Sequence, residues 1–359
     1  MMVLTNPPNK DITIFNYCYL ICFLFGLVPH KSGKKISTVA IIVFWILCLG
    51  ICLRLAGILY QDTEYLLTRM FVVILAFMLI IFSLFSLHII FKKIKQWKNV
   101  LENVKMLDEH LGSIEKLDFS YSAIAIFDIC CLIAVPIMMF IFLYEKLHLY
   151  FKSLLILATI TLNKYVLEDI LFVRIMTILK TRLLKLNRIK NVIFISPKVP
   201  LNRRLKLDDI DYIKKGYKYI YFIMQDTNLI YEKMFLLKVT NSFMEIILIY
   251  QFVIEQNAVF TSTAFTLFHF YFILRSIMCC DSVEKLGKDL GTWCKVLQTE
   301  IEDPRLKQEL SDLTNLIESL PLNFSLFGLF QFNNQLIPTI LSGITSYLII
   351  IMQFKSQRA

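Results

Sequence analysis

Four polar side chains, Thr339, Ser342, Ser346 and Gln353, share one side of a largely apolar segment spanning residues 336–354. On a helix turning about 100° per residue they fall within an arc of roughly 60°, with Ile350 beside them. A narrow stripe of hydroxyls and an amide among Ile and Leu has two uses. It can hydrogen-bond along a seam between helices, where small polar residues are favoured. It can also line a path for ions, with apolar neighbours forming a gate that closes by dewetting. The second use requires several copies of the helix around an axis, since a single helix encloses nothing.

Other polar groups interrupt apolar segments elsewhere. Lys238, Asn241 and Glu245 share one face of segment 234–254 at i, i+3 and i+7, and Arg275 lies at comparable depth in segment 257–280. Charges in lipid are costly, so each marks either function or pairing. The plain alternative is a Glu245–Arg275 or Lys238–Glu245 pair that locks neighbouring helices. Lys164, Glu168 and Asp169 are expected to pair or to face a water-filled cavity. A further group gathers in the opposite halves of these segments: Tyr60, Tyr65, Tyr144, Thr159, Asn163, Tyr250, Gln251, Thr261, Thr266 and His269. Aromatic walls with a few hydrogen-bonding groups suit a small-molecule pocket. Each residue alone fits packing or an interface equally well, and only their common location suggests a site.

These side chains need elements to carry them, and the composition says which. The 359 residues are 57% hydrophobic and 18% charged, with a mean hydropathy of +0.63. Soluble domains average roughly 45–50% apolar and about 25% charged residues. Seven segments, 36–60, 66–91, 122–144, 153–176, 234–254, 257–280 and 336–354, are each long enough to cross a hydrocarbon core of about 30 Å. The sequence predicts an all-α membrane protein with seven transmembrane helices. An eighth apolar stretch, Ile12 to Pro29, is read as a re-entrant or surface helix. A signal peptide fits poorly there, because only Lys10 precedes it and no small-residue cleavage site follows.

Basic residues set the orientation. Segments 1–35, 92–121, 177–233 and 281–335 hold 28 Lys and Arg, against 5 on the other side, counting Arg69 at the outer end of 66–91. This bias predicts a cytoplasmic N-terminus and an extracellular C-terminus, with 355–359 a short extracellular tail. A G-protein-coupled receptor has the reverse orientation, and neither Asp-Arg-Tyr nor Asn-Pro-x-x-Tyr occurs. The outer loops are short and the inner ones long. Leu179, Leu183, Leu186 and Ile189 recur at helical spacing, so the helices of spans 4 and 5 are expected to continue into a cytoplasmic helical region, 177–233. Ser196-Pro197 to Pro200 breaks the two. Region 295–322 is expected to add an amphipathic helix within the loop 281–335 that leads to the last span. The basic faces suit either anionic lipid or a packed assembly platform.

Several chemistries are excluded. None of the five histidines belongs to a His-Glu-x-x-His or His-box motif, and no Walker loop, dinucleotide loop or Gly-x-Ser-x-Gly elbow appears. No enzyme and no cofactor are expected. The nine cysteines include no Cys-x-x-Cys pair, so they suit apolar packing better than zinc or a disulfide framework. The net charge of +10 flanks apolar segments, which points to membrane lipid rather than nucleic acid. The sequon Asn323-Phe324-Ser325 is expected on the cytoplasmic side and unmodified. Internal symmetry of the kind common in secondary transporters is not visible.

The segment Phe324-Ser-Leu-Phe-Gly-Leu-Phe-Gln-Phe, followed by Ser346-Tyr347-Leu-Ile-Ile-Ile-Met-Gln353-Phe354, resembles the C-terminus of insect gustatory receptors. Their signature is Thr-Tyr, five hydrophobic residues and Gln-Phe. Ser346 replaces the usual Thr and keeps the hydroxyl. The resemblance implies a subunit of a tetrameric ligand-gated channel, homomeric or mixed with sister subunits, passing monovalent and divalent cations. It places a small-molecule tastant between the outer halves of spans 2 to 6, and Gln353 and Phe354 at the gate. It implies the plasma membrane of sensory neurons. Sugar-sensing members typically carry Glu after the Tyr; Leu348 there favours a divergent, bitter-type receptor. An insect odorant receptor shares this architecture and is the main alternative, ahead of a secondary transporter.

Overall fold

In the computed structural model the described residues are Gly50, 93–111, 149–194, 206–256 and 259–356, with the side chains of some helical stretches outside that description. They form helices α1 (Ile94–Leu111), α2 (Leu149–Phe194), α3 (Leu207–Gln256), α4 (Val259–Glu300), α5 (Pro304–Ser319) and α6 (Leu336–Ser356). Between α5 and α6 lies a two-stranded antiparallel hairpin, β1 (Ser325–Leu326) and β2 (Phe330–Gln331), in which Leu326 pairs with Phe330. Among the described residues no helix is long and apolar enough to cross a membrane. The predicted spans within 36–144 and the Ile12–Pro29 stretch fall almost wholly outside those residues, and the side chains of the later spans are described only in part.

The chain divides into two compact units. In the first, Val166 and Ile170 of α2 cluster with Phe272 of α4. Phe172 meets Phe235 edge-on, with ring centroids 4.7 Å apart. Glu168 and Asp169 are buried in this unit.

The second unit contains Lys98–Ser113, Val173–Lys233 and Leu274–Ala359. Its core follows from helical periodicity. Val100, Val104, Leu107 and Leu111 line one face of α1, and Leu179, Leu183 and Leu186 are fully buried on α2. Ile213, Ile220 and Ile223 of α3, Leu290 and Leu297 of α4, and Leu310 and Leu313 of α5 complete it. Apolar residues three and four apart form such a stripe, and burying each stabilises the fold by about 1.5–3 kcal/mol.

Two expectations are refined. Residues 295–322 do not form one helix: α4 runs on to Glu300, and a new helix begins at Pro304. The cause is local. Asp303 adopts an extended conformation and accepts a hydrogen bond from the Arg305 amide at 2.9 Å, while Pro304 takes the first helical position, where its missing amide is no loss. Much of the expected loop after residue 280 is likewise helix.

Among the described residues, one ion pair is buried in this unit. Arg182 of α2 bonds to Asp108 of α1, with the arginine side chain only 1% exposed. Lys185, one turn on, donates to the Leu111 carbonyl at the end of α1. Replacing one partner leaves a buried charge without its counter-charge, at a cost of about 3–5 kcal/mol. Arg182→Met is therefore expected to lower stability by that amount. Adding Asp108→Leu should restore most of the loss, since an apolar pair of similar volume is tolerated. Thermal melts of the purified protein test this: a double variant no more stable than Arg182→Met refutes the assignment.

Candidate functional site

The candidate site is α6 and the elements that seat it. Asn333 is buried, and its side-chain oxygen accepts from the Gln335 amide at 3.1 Å. Its carbonyl accepts from Leu336 at 2.9 Å. Asn closes turns of this kind onto its own following backbone, which starts the helix at a fixed place. Asn334 then ties that start to α4: its side-chain amide donates to Asp281 Oδ2 at 2.8 Å and its backbone amide to Asp281 Oδ1 at 3.4 Å. Lys285, one turn along α4, approaches the same carboxylate at 2.6 Å. The hairpin is tied separately to α3, where Asn228 accepts from the Ser325 amide at 3.3 Å.

α5 holds the approach to the hairpin. Tyr217 of α3 donates to the Leu320 carbonyl at the end of α5, at 2.8 Å. Burial raises the pKa of this phenol well above its usual range, so it remains a donor. Gly287 and Gly291 of α4 allow close packing here. A Cβ on Gly287 would lie 3.0 Å from Leu322, and one on Gly291 would lie 3.1 Å from Ile317. The Cys294 thiol nearby is buried and its pKa is pushed up to about 12, which makes it an inert packing group.

A cavity of about 470 Å³ opens beside this packing, lined by Tyr217, Glu284, Lys288, Lys295, Glu318 and Asn323 among others. Its charges compensate one another: Lys288 lies 2.6 Å from Glu284 and Lys295 lies 2.6 Å from Glu318. Asn323 of the sequon lies on this wall and is half-buried. Among the described residues no group of His, Cys, Asp and Glu is arranged to hold a metal ion.

Along α6, Thr339, Ser342, Ser346 and Gln353 are all exposed. Leu341, Thr345 and Ile349 are exposed beside them. The Thr345 hydroxyl donates to its own helix at the Leu341 carbonyl, 2.9 Å away, and Thr339 makes a longer contact of 3.5 Å with Gln335. Ile350 and Phe354 occupy α6, but their side chains lie outside the description. The same holds for Thr159 and Asn163 on α2, Lys238, Glu245, Tyr250 and Gln251 on α3, and Thr261, Thr266 and His269 on α4. Tyr60, Tyr65 and Tyr144 lie outside the described residues altogether. Arg275 is half-buried on α4. The Asp281–Asn334 and Asn228–Ser325 ties were not anticipated. Their sequence signal is faint: paired asparagines before an apolar run mark a helix start but not its partner.

The described residues thus form three helices of 42 to 50 residues, followed by a terminal helix, α6, with a polar stripe. The sequence profile of the 7tm chemosensory receptors matches residues 13–358, and the chain belongs to that family. Its fold is similar to that of the insect olfactory receptor OR5 from Machilis hrabei, solved in complex with eugenol. The TM-score is 0.62 at 12% identity, covering 96% of this chain and 99% of that one. At such identity the likeness is one of fold. No curated protein sequence matches this chain.

The seating of α6 is directly testable. Asn334→Ala removes the side-chain hydrogen bond to the Asp281 carboxylate, leaving the backbone one, and is expected to lower stability by about 1 kcal/mol, the net value of a hydrogen bond. Asp281→Ala should have a larger effect, because it removes the acceptor of both bonds and the partner of Lys285. Equal melting temperatures for wild type and Asn334→Ala would show that the tie contributes nothing.

Proposed function

We propose that this receptor is a gustatory one, acting as a ligand-gated non-selective cation channel of four subunits in the plasma membrane of sensory neurons. The observation that carries this reading is the exposed polar stripe on α6, Thr339, Ser342, Ser346 and Gln353, on a helix ending in Tyr-x5-Gln-Phe. A stripe exposed on one subunit suits either a pore or a seam between subunits, and four such helices around an axis supply both. Hydroxyls that donate to their own helix carbonyls turn lone pairs outward, as a partly dehydrated cation requires. No enzymatic step belongs to this mechanism.

In this reading seven helices cross the membrane, with the N-terminus inside and the C-terminus outside. The tastant, a bitter or plant secondary compound, binds in the outer half of the bundle, where Tyr60, Tyr65, Tyr144, Thr159, Asn163, Tyr250, Gln251, Thr261, Thr266 and His269 gather. Its binding favours the open arrangement of the α6 helices by its differential affinity for that state. The cytoplasmic bundle holds the feet of the four helices. A second reading, an odorant-gated channel, is favoured by the fold shared with OR5, an olfactory receptor solved with eugenol.

Expression of the chain, alone or with sister subunits, is expected to give a cation current on application of non-volatile plant compounds. A response confined to volatile odorants would favour the second reading, and substrate uptake without current would overturn both. Phe354→Ala is expected to raise the unliganded current by widening the apolar constriction, and Gln353→Ala to change relative permeability. If both reach the cell surface and behave as wild type, α6 does not line the pore. A separate test addresses orientation: an epitope tag after Ala359 should bind antibody on intact cells. Staining only after permeabilisation would reverse the assigned topology.

A further inference from the structure

Between Glu318 and Lys355 the chain contains no Asp, Glu, Lys or Arg. Only the later part of that run is α6; the earlier part is the hairpin. A charge-free stretch extending past a membrane helix on its inner side is unexpected, because the flanks of such helices are normally where basic residues collect.

The hairpin has two further unusual properties. Its turn is Phe327-Gly328, with φ values of 54° and 71°, and the Leu329 amide bonds back to the Leu326 carbonyl at 3.0 Å. Both central residues are left-handed, a geometry that strongly favours Asn-Gly. A phenylalanine there carries a steric cost that asparagine avoids. The turn also exposes large apolar groups. Leu329 is 76% exposed, Phe330 52% and Phe327 42%, while Leu326, Phe324 and Phe332 close the other side of the hairpin within the bundle. Folding alone explains neither the strain nor the exposure, since both would be relieved by polar residues. Strain and exposure at one place point to an external partner.

We infer that the Phe327–Phe330 turn is a wedge that inserts into the cytoplasmic leaflet of the bilayer. The inference rests on the reading of α6 as a membrane span. Leu336, the first residue of α6, follows Phe330 by six positions, which holds the turn near the level at which the span begins. Aromatic and aliphatic groups without charge suit the boundary between headgroups and acyl chains, where aromatic side chains concentrate. The flanking Gln331 and Asn334 are exposed and polar, as groups at the headgroup level should be. Lipid accepts apolar side chains in any orientation. At the depth of the headgroups, water and lipid polar groups satisfy the backbone along the hairpin's outer edges, which hydrocarbon could not do.

The test uses the full chain in phospholipid nanodiscs, with p-benzoylphenylalanine replacing Leu329 in one preparation and Phe330 in another, and Thr292 in a control. Thr292 is exposed on α4, so its replacement reports a water-facing position of the bundle. Illumination is expected to give single-phospholipid adducts at positions 329 and 330, at least tenfold above position 292. Adducts joining two receptor chains would assign the turn to a subunit interface and overturn the inference. Lipid adducts no more abundant than at position 292 would leave the turn in water and overturn it equally. Neither readout depends on current, so it can succeed where the channel reading fails. Phe327→Asn supplies a second measurement: it relieves the turn, is expected to keep the melting temperature, and should lower the lipid adducts at position 330 several-fold. Unchanged adducts in that variant would remove Phe327 from the wedge.

Discussion

The geometry at the foot of α6 depends on one buried charge pair, Asp108 with Arg182. A guanidinium excluded from water must keep its carboxylate, and this fixes α1 against α2 in rotation as well as in distance. From that join the contacts run outward in order. His110 of α1 lies against Tyr212 of α3, with ring centroids 4.5 Å apart, and its Nε2 reaches the Tyr212 carbonyl at 2.9 Å. Lys214 of α3 bonds to Glu309 of α5. Gln298 of α4 donates to Thr314 of α5 at 2.7 Å. By the time the chain reaches Asn334, five helices have been placed relative to one another. The apolar core contributes most of the free energy, but leucines alone tolerate rotation and sliding. The directional bonds specify the arrangement.

The two ends of the connection between α5 and α6 are fixed by different partners. Its first part is held by α3, through Tyr217 and Asn228, and its last by α4, through Asp281. A shift of α3 relative to α4 within this unit would therefore bear directly on the residues where α6 begins. Any motion of α6 must be absorbed by the short hairpin, whose two ladder pairs make it the least cooperative element of the unit.

Much of the bundle was legible in the sequence because it obeys one period. Leu179, Leu183 and Leu186 stand out in a basic segment, and each is fully buried. The stripe on α6 was legible for the same reason: the angular spacing of Thr339, Ser342, Ser346 and Gln353 depends only on helix geometry. Features that join distant residues were not. Asp108 and Arg182 are 74 positions apart, and nothing local marks either as the partner of the other. The helical extension of α4 was missed because charged residues after Asp281 read as loop, although their Glu–Lys spacing of four supports a helix. The hairpin was hidden because two-residue strands are too short to alternate and Phe-Gly is not a usual turn. The break before α5 carried the proper signal, Asp303-Pro304, and was overlooked in a region otherwise uniformly amphipathic.

The exposure of the α6 stripe also bears on how such a chain can change over generations. Thr339, Ser342, Ser346 and Gln353 lie outside the packed core of their unit, whereas the residues that seat the helix lie at its foot. Surface substitutions away from such features usually alter stability by no more than about 0.5 kcal/mol. Hydroxyls and amides can therefore be exchanged along the stripe without endangering the folded chain. Selection on what the stripe contacts is largely uncoupled from selection on folding, and a lineage can explore the first while keeping the second intact.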